Sequence, residues 1–172
     1  MSSIVGKPFP TGFHFNYVPF DAEDQKNKLS CKIPIQFKLT PENLQGKKIV
    51  ITAAPAAFTP TCTLSHIPGY ISHVDEFISK GVDTIFVITA DTAFVNSAWG
   101  KLLGQKLPIQ FASDPQAAFS KSIGFAKDYN PEMGTLTERY TIIVEDGVIT
   151  YAEKEPKGDV TVSGAEAALA KL

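Results

Sequence analysis

The sequence predicts an α/β domain, a central mixed sheet flanked by helices. Three observations point there. Lys48–Ala54 (KIVITAA) and Val82–Thr89 (VDTIFVIT) are nearly continuous apolar runs rich in β-branched residues, as in strands buried on both faces. Segments with helical signals alternate with these runs. Asp146-Gly147 sits between Arg139–Glu145 and Val148–Glu153, two β-rich runs, which is a strong hairpin signal. The 172 residues suit one domain, taken as 1–172, and no internal repeat, low-complexity tract or linker divides them.

In chain order, Phe13–Val18 alternates apolar and polar residues as a short strand does, and Asp21–Ser30 (DAEDQKNKLS) reads as an exposed loop. After the strand Lys48–Ala54, a helix starts near Thr59-Pro60 and runs to Lys80-Gly81. Thr59 suits its N-cap, Pro60 its first position and Gly81 its C-terminal stop. Pro68 falls inside this helix and should kink or split it. After the strand Val82–Thr89, a helix over Asp91–Leu103 closes at Gly104, with Phe94, Val95, Ala98, Trp99, Leu102 and Leu103 at helical spacing. Shorter helices fit Ala117–Ser122 and Ser163–Lys171. A thioredoxin-like topology fits this order, and periodicity alone does not separate it from other α/β folds.

Composition excludes several functions. Apolar residues make up 44% and charged residues 20%, with a formal net charge of −2 and no basic cluster. Nucleic acid and anionic membranes are therefore poor partners, and no apolar run is long enough to span a bilayer. Two cysteines, Cys31 and Cys62, are too few for a disulfide scaffold, and the N-terminal MSSIVGKPFP lacks a signal-peptide core. A reducing intracellular compartment, the cytoplasm, is expected. The tail Ala170-Lys171-Leu172 is one residue away from the peroxisomal Ser-Lys-Leu, although a helix ending in Lys and Leu reads the same. His14, His66, His73 and the cysteines show no zinc spacing, no phosphate-binding glycine loop appears, and no cofactor is expected.

The segment that carries chemistry is Pro55-Ala56-Ala57-Phe58-Thr59-Pro60-Thr61-Cys62. With Thr59 as N-cap, Cys62 lies in the first helical turn. The N–H groups there have no helical partners and the helix dipole favours negative charge. A free thiol, with a pKa of about 8.5, is only a few per cent ionised near neutral pH, and such a position favours the reactive thiolate. A fast reaction of such a thiolate also needs fixed donors that stabilise the charge developing as the substrate bond breaks. Each residue has a plainer reading: Cys62 as an inert buried thiol, Thr59 as an N-cap only, Arg139 as a surface residue opening a strand.

This octapeptide resembles the peroxiredoxin motif Pro-x-x-x-Thr-x-x-Cys. With Ser65-His66-Ile67-Pro68-Gly69-Tyr70 after it, it is similar to the type 5 subfamily, which includes fungal alkyl hydroperoxide reductases. The likeness continues through Asp91-Thr92-Ala93-Phe94, Ala98-Trp99, Ala112-Ser113-Asp114-Pro115, Phe119 and Asp146-Gly147, essentially the whole chain. The resemblance implies a thioredoxin-like fold and a thiol peroxidase acting on alkyl hydroperoxides and hydrogen peroxide. It implies Cys62 as the attacking thiol, Thr59 as hydrogen-bonding the peroxide, Pro55 as shielding the thiolate, and Arg139 as stabilising thiolate and peroxide. It assigns no base to His66, for which a structural hydrogen bond or a contact at the substrate's edge is expected.

Many type 5 members carry a resolving cysteine near the C-terminus; the matching Gly158–Ser163 has none. Cys31, followed by Lys32-Ile33-Pro34, resembles the resolving cysteine of yeast-type enzymes, where the disulfide joins two subunits. The resemblance thus implies a homodimer, recycled by thioredoxin, with Phe94 and Trp99 as candidate interface residues whose spacing fits the core equally well. A one-cysteine peroxidase recycled by glutathione and a peroxide sensor are the alternatives.

Overall fold

The computed structural model describes residues 4–172. A seven-stranded mixed sheet forms its centre. The strands are β1 (His14–Tyr17), β2 (Ile35–Lys38), β3 (Lys48–Ala53), β4 (Thr84–Thr89), β5 (Ile109–Ser113), β8 (Tyr140–Glu145) and β9 (Val148–Lys154), in the order β2-β1-β5-β4-β3-β8-β9. β3, β4 and β5 run parallel, and the pairs at both margins are antiparallel. A separate hairpin, β6 (Ala126–Asn130) with β7 (Gly134–Thr137), lies outside the sheet. The α/β expectation and the central mixed sheet are both realised.

The continuous apolar runs behave as their composition dictates. Val50 on β3 enters one core, with Ile85, Val87 and Trp99, while its neighbours Ile49 and Ile51 enter a second core with Phe86, Ile88 and Phe119. Alternate side chains of one strand thus feed both faces, and each fully buried side chain contributes about 1.5–3 kcal/mol. The helices α2 (Ile67–Ser72), α3 (Val74–Ser79), α4 (Ala93–Leu103) and α6 (Ala165–Leu169) cover the first face. The short α5 (Ala118–Ser122), α1 (Pro41–Leu44) and the N-terminal segment with Phe9 and Phe15 cover the other. Asp146 and Gly147 have φ of 49° and 76°, the left-handed pair that a tight hairpin turn requires.

Two expectations need correction, and one strand was not foreseen. The long helix after Thr59 is a succession of pieces: a turn from Pro60, a π-helical stretch Cys62–His66, then α2 and α3, broken at His73. Pro68 sits in the first turn of α2, where its missing N–H costs nothing. Second, β5 was hidden: it is five residues long with a polar Gln110 inside it, directly after Pro108. Third, the apolar spacing on α4 is its buried face only in part: Trp99 is fully buried and Leu103 packs against the first core. Phe94, Val95 and Leu102 are exposed, whereas Ala93, Asn96, Ser97, Trp99, Gly100 and Lys101 are buried. The helix turns its small and polar residues inward because β5 lies so close. A Cβ on Gly100 would sit 2.6 Å from the Phe111 ring, and Asn96 spends its amide on the Ala112 carbonyl at 2.9 Å. Trp99 is therefore a core residue within the chain, not an interface anchor.

Candidate active site

β3 delivers the chain to a loop that is tied down from three sides. The Thr137 hydroxyl donates to the Ala54 carbonyl at 2.6 Å. The Ala57 N–H donates to Asp91 Oδ2 at 2.8 Å, and the Thr89 hydroxyl holds the same carboxylate oxygen at 2.8 Å. Phe58 adopts φ of 61°, a conformation a non-glycine residue holds only where its surroundings impose it. The helical turn then begins at Pro60, so Cys62 is its third residue, as the sequence implied. The Thr59 hydroxyl, however, does not cap that turn. It donates to the Ala56 carbonyl at 2.9 Å, which leaves the oxygen's lone pairs to accept from another molecule.

Cys62 is 1% exposed, and its sulfur has one charged neighbour. Arg139, the residue before β8, places Nη1 3.4 Å from Cys62 Sγ and 3.2 Å from His66 Nδ1. A guanidinium can only donate, so Nδ1 accepts and the imidazole proton resides on Nε2. That Nε2–H points at the Ser163 carbonyl and the Thr52 hydroxyl, each at 3.1 Å. Burial, and next the positive charge of Arg139, push the His66 pKa down to about 4, so the ring is neutral at physiological pH. Arg139 Nη1 thus links the His66 ring to the Cys62 sulfur. The Arg139 Nε–H is buried and has no hydrogen-bond partner among the described residues.

The Ser163 carbonyl gathers the next layer. It accepts from the Tyr70 hydroxyl at 2.7 Å and from Thr141 Oγ1 at 2.9 Å, in addition to His66. Ser163 in turn is fixed by Glu155, whose Oε1 accepts both its N–H and its hydroxyl at 2.8 Å. Burial opposes the Glu155 charge, but these bonds and those from Thr161 outweigh it and hold the carboxyl below its usual range. A continuous chain of contacts therefore runs from Glu155 through Ser163, His66 and Arg139 to the Cys62 sulfur. Sequence reasoning missed Glu155, Ser163 and Asp91 as supports: each lies far along the chain from Cys62, and no local pattern marks a residue that acts through tertiary contacts.

Cys31 lies elsewhere, on the exposed segment before β2. That segment is not simply a solvated loop. Lys101 of α4, 1% exposed, reaches into it and donates to Asp24 Oδ2 at 2.6 Å, the Ser30 carbonyl at 2.6 Å and Ser30 Oγ at 3.1 Å. Two residues earlier on the same helix, Trp99 Nε1 donates to the Thr63 hydroxyl at 3.2 Å, beside Cys62. Helix α4 therefore touches both cysteine-bearing segments. Pro55 lines a cavity of about 320 Å³ together with Arg139. Among the described residues no cluster of three or more His, Cys, Asp or Glu is placed to hold a metal ion, and no helix is long and apolar enough to cross a membrane.

Comparison with known proteins places this arrangement in context. The model of the Redoxin family matches residues 5–169. The chain is 42% identical to the peroxiredoxin Pen c 3 of Penicillium citrinum over 100% of both chains. It is 44% identical to a peroxiredoxin of Lipomyces kononenkoae named as peroxisomal, over 95% of this chain and 98% of the relative. Among solved structures, reduced Prx3 of Vibrio vulnificus in complex with hydrogen peroxide superposes with a TM-score of 0.83 at 32% identity, covering 99% of this chain and 98% of that one. This chain belongs to the Redoxin family, with the thioredoxin-like fold, and is a peroxiredoxin, an oxidoreductase acting on peroxide.

Proposed function

We propose that this protein is a two-cysteine thiol peroxidase in which Cys62 attacks alkyl hydroperoxides and hydrogen peroxide. The observation that carries this reading is the Arg139 guanidinium, fixed by His66, 3.4 Å from a buried cysteine sulfur in the first turn of a helix. The Cys62 thiolate attacks one peroxide oxygen, the S–O bond forms and the O–O bond breaks. The departing alkoxide takes a proton and leaves as an alcohol, or as water from hydrogen peroxide, and Cys62 becomes a sulfenic acid. Arg139 stabilises both the thiolate and the negative charge that develops on the leaving oxygen. The Thr59 oxygen accepts from the peroxide O–H with the lone pairs its Ala56 bond leaves open, and Pro55 keeps water from the sulfur.

The exposed Cys31 of a partner subunit then attacks the sulfenic sulfur, expelling water and forming an intersubunit disulfide. Because Cys62 is buried and disulfide sulfurs lie about 2 Å apart, its turn must unwind for this step. The π-helical geometry at Cys62–His66, less regular than an α-helix, is a suitable place for such unwinding. A dithiol reductant of the thioredoxin class reduces the disulfide and completes the cycle in a homodimer. The exposed Phe94 of α4 is a candidate for the subunit contact. The tail Ala170-Lys171-Leu172 and the relative named as peroxisomal support delivery to the peroxisome besides the cytoplasm.

Intact mass after one equivalent of an alkyl hydroperoxide, under non-reducing and thiol-blocking conditions, tests the cycle. A covalent dimer is expected, absent in Cys62→Ser and in Cys31→Ser. A monomer carrying one extra oxygen would retain the peroxidase and remove Cys31 from it, leaving a small thiol such as glutathione to recycle Cys62. An unchanged mass would leave Cys62 inert and overturn the proposal.

A further inference from the structure

The cavity beside Arg139 is larger than hydrogen peroxide needs. At about 320 Å³ it falls at the lower end of sites that take small organic ligands. Its wall is shared with the reacting centre through Pro55 and Arg139, and the hairpin and the C-terminal segment add Lys127, Tyr129 and Lys157.

The charge of the wall is unbalanced. Three cations, Lys127, Arg139 and Lys157, face two acids: Glu138 pairs with Lys154 at 2.7 Å, and Glu155 keeps its charge but turns its carboxylate to Thr161 and Ser163. Lys127 and Lys157 make no ion pair among the described residues; the Lys127 ammonium rests 5.4 Å from the centre of the Tyr129 ring. With the Arg139 Nε–H, unpartnered among the described residues, in the wall behind them, a chain of net charge −2 presents cations around a cavity that its reactive-site arginine lines. Electrostatic focusing in such a concave site raises the local concentration of anions.

We infer that this cavity seats the organic part of the substrate, and that Lys127 and Lys157 select hydroperoxides bearing a carboxylate. The inference rests on the peroxidase reading and deepens it. Neutral hydroperoxides and hydrogen peroxide reach the same sulfur without using the lysines, which are specificity-determining residues and take no part in the O–O cleavage.

The test compares three peroxides on the full-length protein: cumene hydroperoxide, its para-carboxylate, and hydrogen peroxide. The expected kcat/KM for the carboxylate exceeds that for the neutral parent by about tenfold at low salt, equivalent to roughly 1.4 kcal/mol. In the Lys127→Gln/Lys157→Gln variant the preference should vanish, through a rise in KM for the carboxylate alone, while the hydrogen peroxide rate stays the same. Lys106→Gln, which removes an exposed lysine elsewhere, should keep the preference. Equal rates for acid and parent in the unmodified protein would overturn the inference, as would an equal loss in Lys106→Gln, which would mean overall charge rather than this cavity. Failure to reduce any of the three peroxides would instead overturn the peroxidase reading.

Discussion

The two cysteines of this chain are held by opposite means. Cys62 is 1% exposed, in the helical turn that follows a central strand, within reach of a buried cation whose own position is set by His66, Ser163 and Glu155. Cys31 is exposed on an irregular segment that also leaves Leu29 95% and Ile33 86% exposed, and that is held to α4 by the Lys101 ammonium and by Lys28 on the Lys101 carbonyl. The difference follows from what each would do. A thiol that attacks peroxide needs preorganised charge, which only rigid elements supply. A thiol that must reach another subunit's sulfur needs travel, which a tethered loop retains.

The largest expected effect breaks the rigid side. Arg139→Gln keeps most of the volume and removes the charge, and should lower kcat/KM for peroxide by about a hundredfold to a thousandfold. Trp99, the single tryptophan, bonded to Thr63 beside Cys62, offers a fluorescence signal for a stopped-flow measurement. A change below threefold would mean that the guanidinium does not act on the reacting atoms.

A second prediction concerns pH and the same network. In the fold, burial and Arg139 keep His66 neutral down to about pH 4, whereas an ordinary histidine titrates near 6.5. Below pH 6.5 the unfolded chain therefore binds a proton that the folded chain refuses, so this contribution to stability falls as pH drops from 6.5 towards 4. Between pH 7 and pH 5 the expected loss is about 2 kcal/mol. Urea unfolding at both pH values should show this loss, and His66→Asn, which cannot titrate, should lack that component. An equal pH dependence in the variant would place its origin elsewhere.

The smallest effect sharpens the comparison on the flexible side. Lys101→Met removes the ammonium that holds Asp24 and Ser30 but leaves the Cys62 surroundings intact. Peroxide attack should proceed at the unmodified rate, while disulfide formation slows severalfold because Cys31 must search a wider space. Overoxidation of Cys62 to the sulfinic acid would then appear at lower peroxide. Rapid-quench mass spectrometry separates the two steps, and an unaltered disulfide rate would reduce Lys101 to a purely structural role.

Much of the fold was legible in the chain. Lys48–Ala54 and Val82–Thr89 announced the central strands because a strand buried on both faces must be apolar at consecutive positions. Asp146-Gly147 announced the hairpin because only such residues accept two left-handed conformations in a row. Helix α4 was located by Gly104, whose φ of 77° ends it, yet its apolar stripe misled. Which face is buried depended on the proximity of β5, a strand too short and too polar to be seen in advance.

The site divides in the same way. The octapeptide Pro55–Cys62 and its resemblance to a known motif located the reactive sulfur, and local rules placed it in a first helical turn. By itself the sequence determined the class of domain, the central strands, the hairpin and the position of the thiol, because each follows from patterns a few residues long. Only the tertiary structure decided that the Thr59 hydroxyl turns to Ala56, that a neutral His66 steadies Arg139 against Cys62, and that Lys101 anchors the segment bearing Cys31. These contacts join residues 70 or more positions apart or depend on competition among nearby hydrogen-bond partners, and neither leaves a periodic trace in the chain.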